Sequence, residues 1–281
     1  MAETTGSPAI RVGLIDGPVM NHSHPLLAES HIQHLRSCRA SSTGAHSAAT
    51  MHGVATAGVL VGSRGTEALG ICPGVTLLSC PVFSPWPSRA AASPAEVAKA
   101  VVETAQAGAR VINMSLSLAP GPRAGLSAVE QALDYAAGRG TVVVAASGNE
   151  SSIDGTVLTR HRAVIPVMAY DIDGRPAQFS NIGHSIGQRG VGAPGEGVLS
   201  LRAGGGSRAF GGSSAATAIV TGAIALLWSQ FPGEHRESIV SAVTRSAPRQ
   251  RSVVPPLLNA WRAYEMLLAN SRASNAGVQR G

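Results

Sequence analysis

Short runs of branched apolar residues alternate with longer helical runs along almost the whole chain. Ile10 to Ile15 reads as a buried parallel strand that stops at Asp16-Gly17-Pro18. Met51 to Gly62 predicts a helix of small residues that presents His52 in its first turn. Leu69 to Phe83 predicts a turn and a central strand, broken at Pro85 to Pro87. Ser93-Pro94-Ala95-Glu96 has the pattern of a capped helix start, and that helix runs to about Ala107 before Gly108. Val111 to Leu118 and Thr141 to Ala146 read as strands separated by a helix over Leu126 to Ala137. Ala163 to Tyr170 and Gly197 to Leu201 are further short strands, with Gln178 to Asn181 and Gly192 to Gly195 as loops. A long helix begins near Ser214 and ends near Phe231-Pro232-Gly233, followed by helices over Glu237 to Arg245 and Ala260 to Ala269. The alternation, with no internal repeat and no linker, predicts a single domain over 1–281. Its class is α/β: a doubly wound, mainly parallel sheet with helices on both faces, ordered over about 10–270. Ser271 to Gly281 lacks an apolar pattern and reads as a disordered tail.

Composition narrows the class. A hydrophobic fraction of 44% against 14% charged residues suits a large core under a modest polar shell. No apolar run is long enough for a membrane span, and the polar start of the chain has no signal-peptide core. The net charge of +6 comes from scattered arginines without interleaved aromatics, which argues for a basic surface, compatible with an acidic peptide partner, and against a nucleic-acid site. Cys38, Cys72 and Cys80 are odd in number and lack metal-ligand spacing, so free thiols in a reducing, cytoplasmic setting are expected. His22 and His24 form a His-x-His pair without a third ligand nearby. No metal ligand set or cofactor is expected, and no segment is identified as a calcium site. Residues 37–50, rich in Ser and Ala, read as a surface loop.

The chemistry concentrates at Gly211-Gly212-Ser213-Ser214. Two glycines allow a sharp turn, and a serine opening an apolar helix sits in the positive field of the helix N-terminus. Gly-Ser-Ser by itself also reads as a helix cap, Asp16-Gly17-Pro18 as a plain turn, and His52 as a surface residue. Asn149, behind Gly148 and just past a strand, either aims an amide over a pocket or completes a turn. Taken together, Asp16, His52, Asn149 and Ser214 supply the four groups that acyl transfer needs. These are an orienting carboxylate, an imidazole base, an oxyanion donor and a nucleophilic hydroxyl.

The segments Val12 to Asp16 with His24-Pro25, His52-Gly53 with Gly58, Val111 to Leu116, Ala145 to Glu150, and Gly212 to Gly222 resemble those of subtilisin-like serine proteases, in the same order. The resemblance spans about Arg11 to Leu268. It implies a Ser214 nucleophile, His52 as general base, Asp16 as its orienting acid, and an oxyanion hole from Asn149 and the Ser214 N–H. It also implies that Ser115, Leu116 and Ser117 pair with an extended peptide substrate, with Gly148 and Glu150 at the primary specificity pocket, where the acid favours a basic or polar side chain. Two flanks depart from the family pattern. His-Gly-Thr-His is replaced by His52-Gly53-Val54-Ala55, and the nucleophile motif lacks its usual Met and Pro, reading Ser214-Ala215-Ala216-Thr217-Ala218.

Leu14 to Val19 with His24-Pro25, Leu77 to Phe83, and Gln178 to Asn181 are similar to the subtilisin-type proteases of cyanobactin biosynthesis. That likeness implies removal of a leader from a ribosomally made precursor peptide. Asp16 and His52 lie too close in sequence for the helical insertion of the macrocyclase variants. The expected partner is therefore a peptide substrate, with no nucleic acid and no membrane. A general intracellular subtilisin and a catalytically silent peptide-binding subunit are the alternative readings.

Overall fold

A computed structural model describes residues 4–35, 38, 47–64, 68, 70–83, 91–119, 121–248 and 251–278. Leu69, the break at Pro85 to Pro87 and most of the 37–50 loop lie outside the described residues. Seven strands form one parallel sheet. They are β1 (Arg11–Asp16), β2 (His31–His34), β3 (Thr76–Pro81), β5 (Val111–Met114), β7 (Val142–Ala146), β8 (Val164–Tyr170) and β9 (Val191–Pro194). Two short pairs, β4 (Ala91–Ala92) with β6 (Ser117–Leu118) and β10 (Leu199–Leu201) with β11 (Ser207–Ala209), complete the strands. The helices are α1 (Ala48–Val61), α2 (Pro94–Gln106), α3 (Arg123–Gly138), α4 (Val157–Arg160), α5 (His184–Arg189), α6 (Ser213–Gln230), α7 (Arg236–Thr244) and α8 (Ala260–Val278).

The order β2-β3-β1-β5-β7-β8-β9 places the switch in winding direction at β1 and β5, where α/β sheets open a crevice at their carboxyl ends. Side-chain parity splits the core into two layers. Val12 and Leu14 of β1 face the layer that holds α1 and α6, whereas Ile15 faces the layer of α2 and α3. Val142 and Val144 of β7 repeat the first choice, and Val143 and Ala145 the second. Fully buried strands facing helices on both sides explain why the sequence shows continuous apolar runs and little alternation. The expected fold class is the observed one.

Backbone contact sets the placement of α1. A Cβ on Gly17 would lie 1.8 Å from the Ala49 carbonyl oxygen, and one on Gly53 would lie 2.5 Å from the Gly17 carbonyl oxygen. Glycine at both positions lets the turn after β1 touch the helix backbone directly. Ser47 caps α1, its hydroxyl accepting from the Thr50 N–H at 3.1 Å. The helix thus starts earlier than the apolar pattern predicts, and His52 falls in its second turn.

Three expectations need correction, and one strand went unread. Gly192-Ala193-Pro194 belongs to edge strand β9 and not to a loop, because a Cβ on Gly192 would sit 2.2 Å from the Tyr170 ring that covers it. The terminal helix continues past Ala269 and Ser271 to Val278; no proline interrupts it, and the Ser271 hydroxyl donates to the Leu267 carbonyl. The strand His31–His34, with three polar residues of four and on the sheet edge, gave no apolar signal. Cys38 and Cys80, 42 positions apart, form a disulfide. Cys72 alone is free and buried, and burial pushes its thiol up to about 12. The inference from unpaired thiols to a reducing compartment falls with that pairing. No described helix is long and apolar enough to cross a membrane.

Candidate active site

Asp16 closes β1 at the carboxyl edge of the sheet and is fully buried. Its Oδ1 accepts from the Gly17 N–H and from His52 Nδ1, each at 2.6 Å. With Nδ1 donating to a carboxylate, Nε2 is left to face Ser214, whose Oγ lies 3.2 Å away. Asp16, His52 and Ser214 come from one strand and two helices of the same layer, and the Gly17–Gly53 contact brings the first two together. Phe83 and Phe210 meet the imidazole edge-on, with ring centroids 5.8 and 5.5 Å from it. These two aromatics limit how the ring can turn, and neither stood out in the sequence.

Ser214 is the second residue of α6, and Gly212 ahead of it has φ +88°, a conformation open to glycine and strained for other residues. Two hydrogen bonds stitch the loop after β7 to this helix start. Gly148 N–H donates to Ser213 Oγ at 3.2 Å, and Ser213 N–H donates to Asn149 Oδ1 at 2.8 Å. Pinning the carbonyl end of the Asn149 amide leaves its NH₂ as a donor on the cleft that Asn149 shares with Ser214. Among the described residues no acceptor is found for the Ser214 N–H. A buried polar series supports Ser214 from behind: Thr221 Oγ1 donates to Asn113 Oδ1, Asn113 Nδ2 to Ser115 Oγ, and Ser115 Oγ to the Ser214 carbonyl.

His52, Leu116, Ser117, Gly148, Asn149, Glu150 and Ser214 line one open cleft of about 410 Å³, together with Ala146, Ser147, Thr156, Gly211 and Ser213. Ser115, expected among the substrate contacts, has its side chain buried beneath Ser214. Ser117 pairs with Ala91 across β4 and β6. Glu150 is exposed, but its Oε2 accepts from the Asn149 N–H at 3.0 Å and from Asn181 Nδ2 at 2.7 Å. Asn181 in turn accepts the Glu150 and Ser152 N–H groups, so this acid also shapes its own loop.

The surroundings of His52 set its affinity for a proton. Burial pulls the His52 pKa down, but the charge of Asp16 and its hydrogen bond raise it by more, while Arg208 opposes them; the net shift is upward from 6.5. A base must be neutral to take a proton, so the acid limb of kcat/KM is expected above pH 6.5, with activity lost as pH falls through the raised value. Arg208→Ala removes a lowering influence and is expected to move that limb to higher pH. A pH–rate profile of the variant checks this, and a limb moving to lower pH contradicts it.

Of the histidine pair, His24 has both ring nitrogens engaged. His24 Nδ1 accepts from the Leu26 N–H and its Nε2 donates to the Gly206 carbonyl. Cys38, Cys80 and Glu103 are the one group of three possible metal ligands among the described residues, and the disulfide consumes both sulfurs.

Residues 7–276 match the peptidase S8 family, described as the subtilase family. The chain belongs to the subtilases. Subtilisin DY from Bacillus licheniformis is 34% identical over 187 residues, which cover 64% of each chain. Alkaline elastase YaB from a Bacillus strain is 32% identical over 182 residues, 64% of this chain and 46% of that protein. The chain thus spans about half to two thirds of the length of such curated relatives. Among solved subtilase structures, a mutant of the protease domain of PatA superimposes with a TM-score of 0.85 at 28% identity, covering 96% of this chain and 99% of that one. The prenylagaramide maturation protease PagA gives 0.81 at 27% identity, covering 95% and 96%. PatA itself is described as the patellamide maturation protease.

Proposed function

We propose that this subtilase is a serine endopeptidase acting through Asp16, His52 and Ser214, and that it removes the leader from a ribosomally made precursor peptide. The observation that carries the reading is the hydrogen-bonded series Asp16 Oδ1, His52 Nδ1, His52 Nε2, Ser214 Oγ opening onto a cleft. His52 takes the Ser214 proton as the hydroxyl attacks the scissile carbonyl, then returns it to the leaving amine. Asp16 holds the tautomer and balances the imidazolium. The Asn149 amide and the Ser214 N–H donate to the oxyanion, aided by the field at the N-terminus of α6. An extended substrate lies along the Ser115 to Ser117 segment, with Leu116, Ser117, Gly148 and Glu150 lining its path.

The choice of a precursor peptide rests on the likeness to the two maturation proteases and on charge. A chain of net charge +6 favours capture of an acidic leader, so kcat/KM on such a precursor is expected to fall as salt rises. A biosynthetic protease must also spare other proteins, which places specificity in an extended contact and not in one pocket. The disulfide leaves a cytoplasmic setting without its thiol argument. The test mixes purified protein with candidate precursors and with unrelated unfolded proteins, and maps the cuts by mass spectrometry. Cutting confined to a leader–core junction is expected. Indiscriminate digestion would make this a general subtilisin, and no cutting together with no labelling of Ser214 would make it a silent binding subunit.

A further inference from the structure

Two of the three donors to the Asp16 carboxylate lie on Oδ1; the third is a side chain the family motifs do not point to. Thr56 is fully buried, and its Oγ1 lies 3.1 Å from Asp16 Oδ2 and 3.0 Å from the His52 carbonyl oxygen. A threonine hydroxyl has one hydrogen to give. The His52 carbonyl already accepts the i+4 helical N–H, whereas Oδ2 has no other donor among the described residues. A buried carboxylate oxygen without a donor is costly, and the bond to the charged group is the stronger of the two.

We propose that Thr56 is a positioning residue for the triad carboxylate, and that α1 grips Asp16 at two points. His52 and Thr56 stand four apart on one helix and so share a face. His52 engages Oδ1 and Thr56 engages Oδ2, which fixes the rotation of the carboxylate against the same rigid element that carries the base. As His52 becomes an imidazolium, the carboxylate must stay charged and aligned, and a branched side chain with few χ1 options holds its donor in place. The substitution of Val54-Ala55 in the motif leaves this contact, one turn after His52, intact.

The proposal rests on the Asp16–His52–Ser214 reading, and the experiment separates the two. A fluorophosphonate probe is titrated against wild type, Thr56→Val and Thr56→Ser from pH 5 to 9, following the maximal labelling rate and the probe's apparent affinity. Thr56→Val keeps the volume and loses the donor. Its maximal rate is expected to fall about tenfold, the low end for a hydrogen bond lost to a charged group, with affinity unchanged. Its acid limb is expected to move up by about half a pH unit, because the positive end of the hydroxyl dipole no longer offsets the carboxylate's pull on the imidazolium. Asp16 from β1 and Arg208 from β11 are the other charges acting on His52, and both are unchanged in the variant. Thr56→Ser restores the donor and is expected to label within about threefold of wild type, since the loss of one methyl leaves that bond in place. Thr56→Ala replaces valine in the same assay if valine does not give folded protein. Wild-type rate and limb in the folded donor-less variant, or a serine variant as impaired as valine, overturns the role of Thr56. No labelling of wild-type Ser214 overturns the triad reading and this inference with it.

Discussion

Ser214→Ala is expected to lower kcat by about 10⁶-fold, the scale known for loss of the serine in subtilisin, or about 8 kcal/mol of transition-state stabilisation. The size follows from how completely the site is built around one oxygen. His52 Nε2 lies 3.2 Å from Ser214 Oγ, and among the described residues no other hydroxyl or thiol is hydrogen-bonded to that nitrogen. Alanine removes the attacking atom while preserving the helix, because the polar series from Thr221 through Asn113 and Ser115 ends on the Ser214 main-chain carbonyl. The variant should therefore fold and bind peptide as wild type does, with only the oxyanion hole and binding left to accelerate the reaction. Steady-state kinetics with thermal unfolding as a control measure this, and turnover near the wild-type rate removes Ser214 from the mechanism.

Asn149→Ala is expected to lower kcat by roughly 10²–10³-fold with little change in KM. The amide's carbonyl end is anchored by the Ser213 N–H at 2.8 Å, so its NH₂ is oriented before substrate arrives. A donor fixed in advance costs no reorganisation when charge develops on the oxyanion, and it adds little to ground-state binding. The loss should therefore appear in kcat. A rise in KM at constant kcat would give the amide a binding role instead. Alanine also frees the Ser213 N–H, which predicts a small loss of stability distinct from the rate effect.

The catalytic candidates were legible because each sits in a local pattern: Asp16 at the end of an apolar strand, Ser214 after a glycine pair, Asn149 past Gly148. The parallel sheet was legible for the same reason, since buried strands and capped helices announce themselves within a dozen residues. What escaped depends on contacts far apart in sequence. Gly192 reads as a loop residue until Tyr170 is seen lying over it. Cys38 and Cys80 read as free thiols until the fold sets their Cα atoms 4.9 Å apart. Ser115 is read from its motif for main-chain pairing with a substrate, and that its side chain also donates to the Ser214 carbonyl shows only in the fold. Thr56, hidden among small apolar residues of α1, becomes visible only against Oδ2 of Asp16.

The central claim is that Ser214 is an activated nucleophile, and fluorophosphonate labelling tests it most directly because it needs no knowledge of the natural substrate. The account predicts a single adduct on Ser214 by peptide mapping, forming faster as pH rises through the raised His52 pKa, and absent in Ser214→Ala and strongly slowed in His52→Ala. A folded wild-type protein that takes up no probe, or takes it up on another residue, would contradict it.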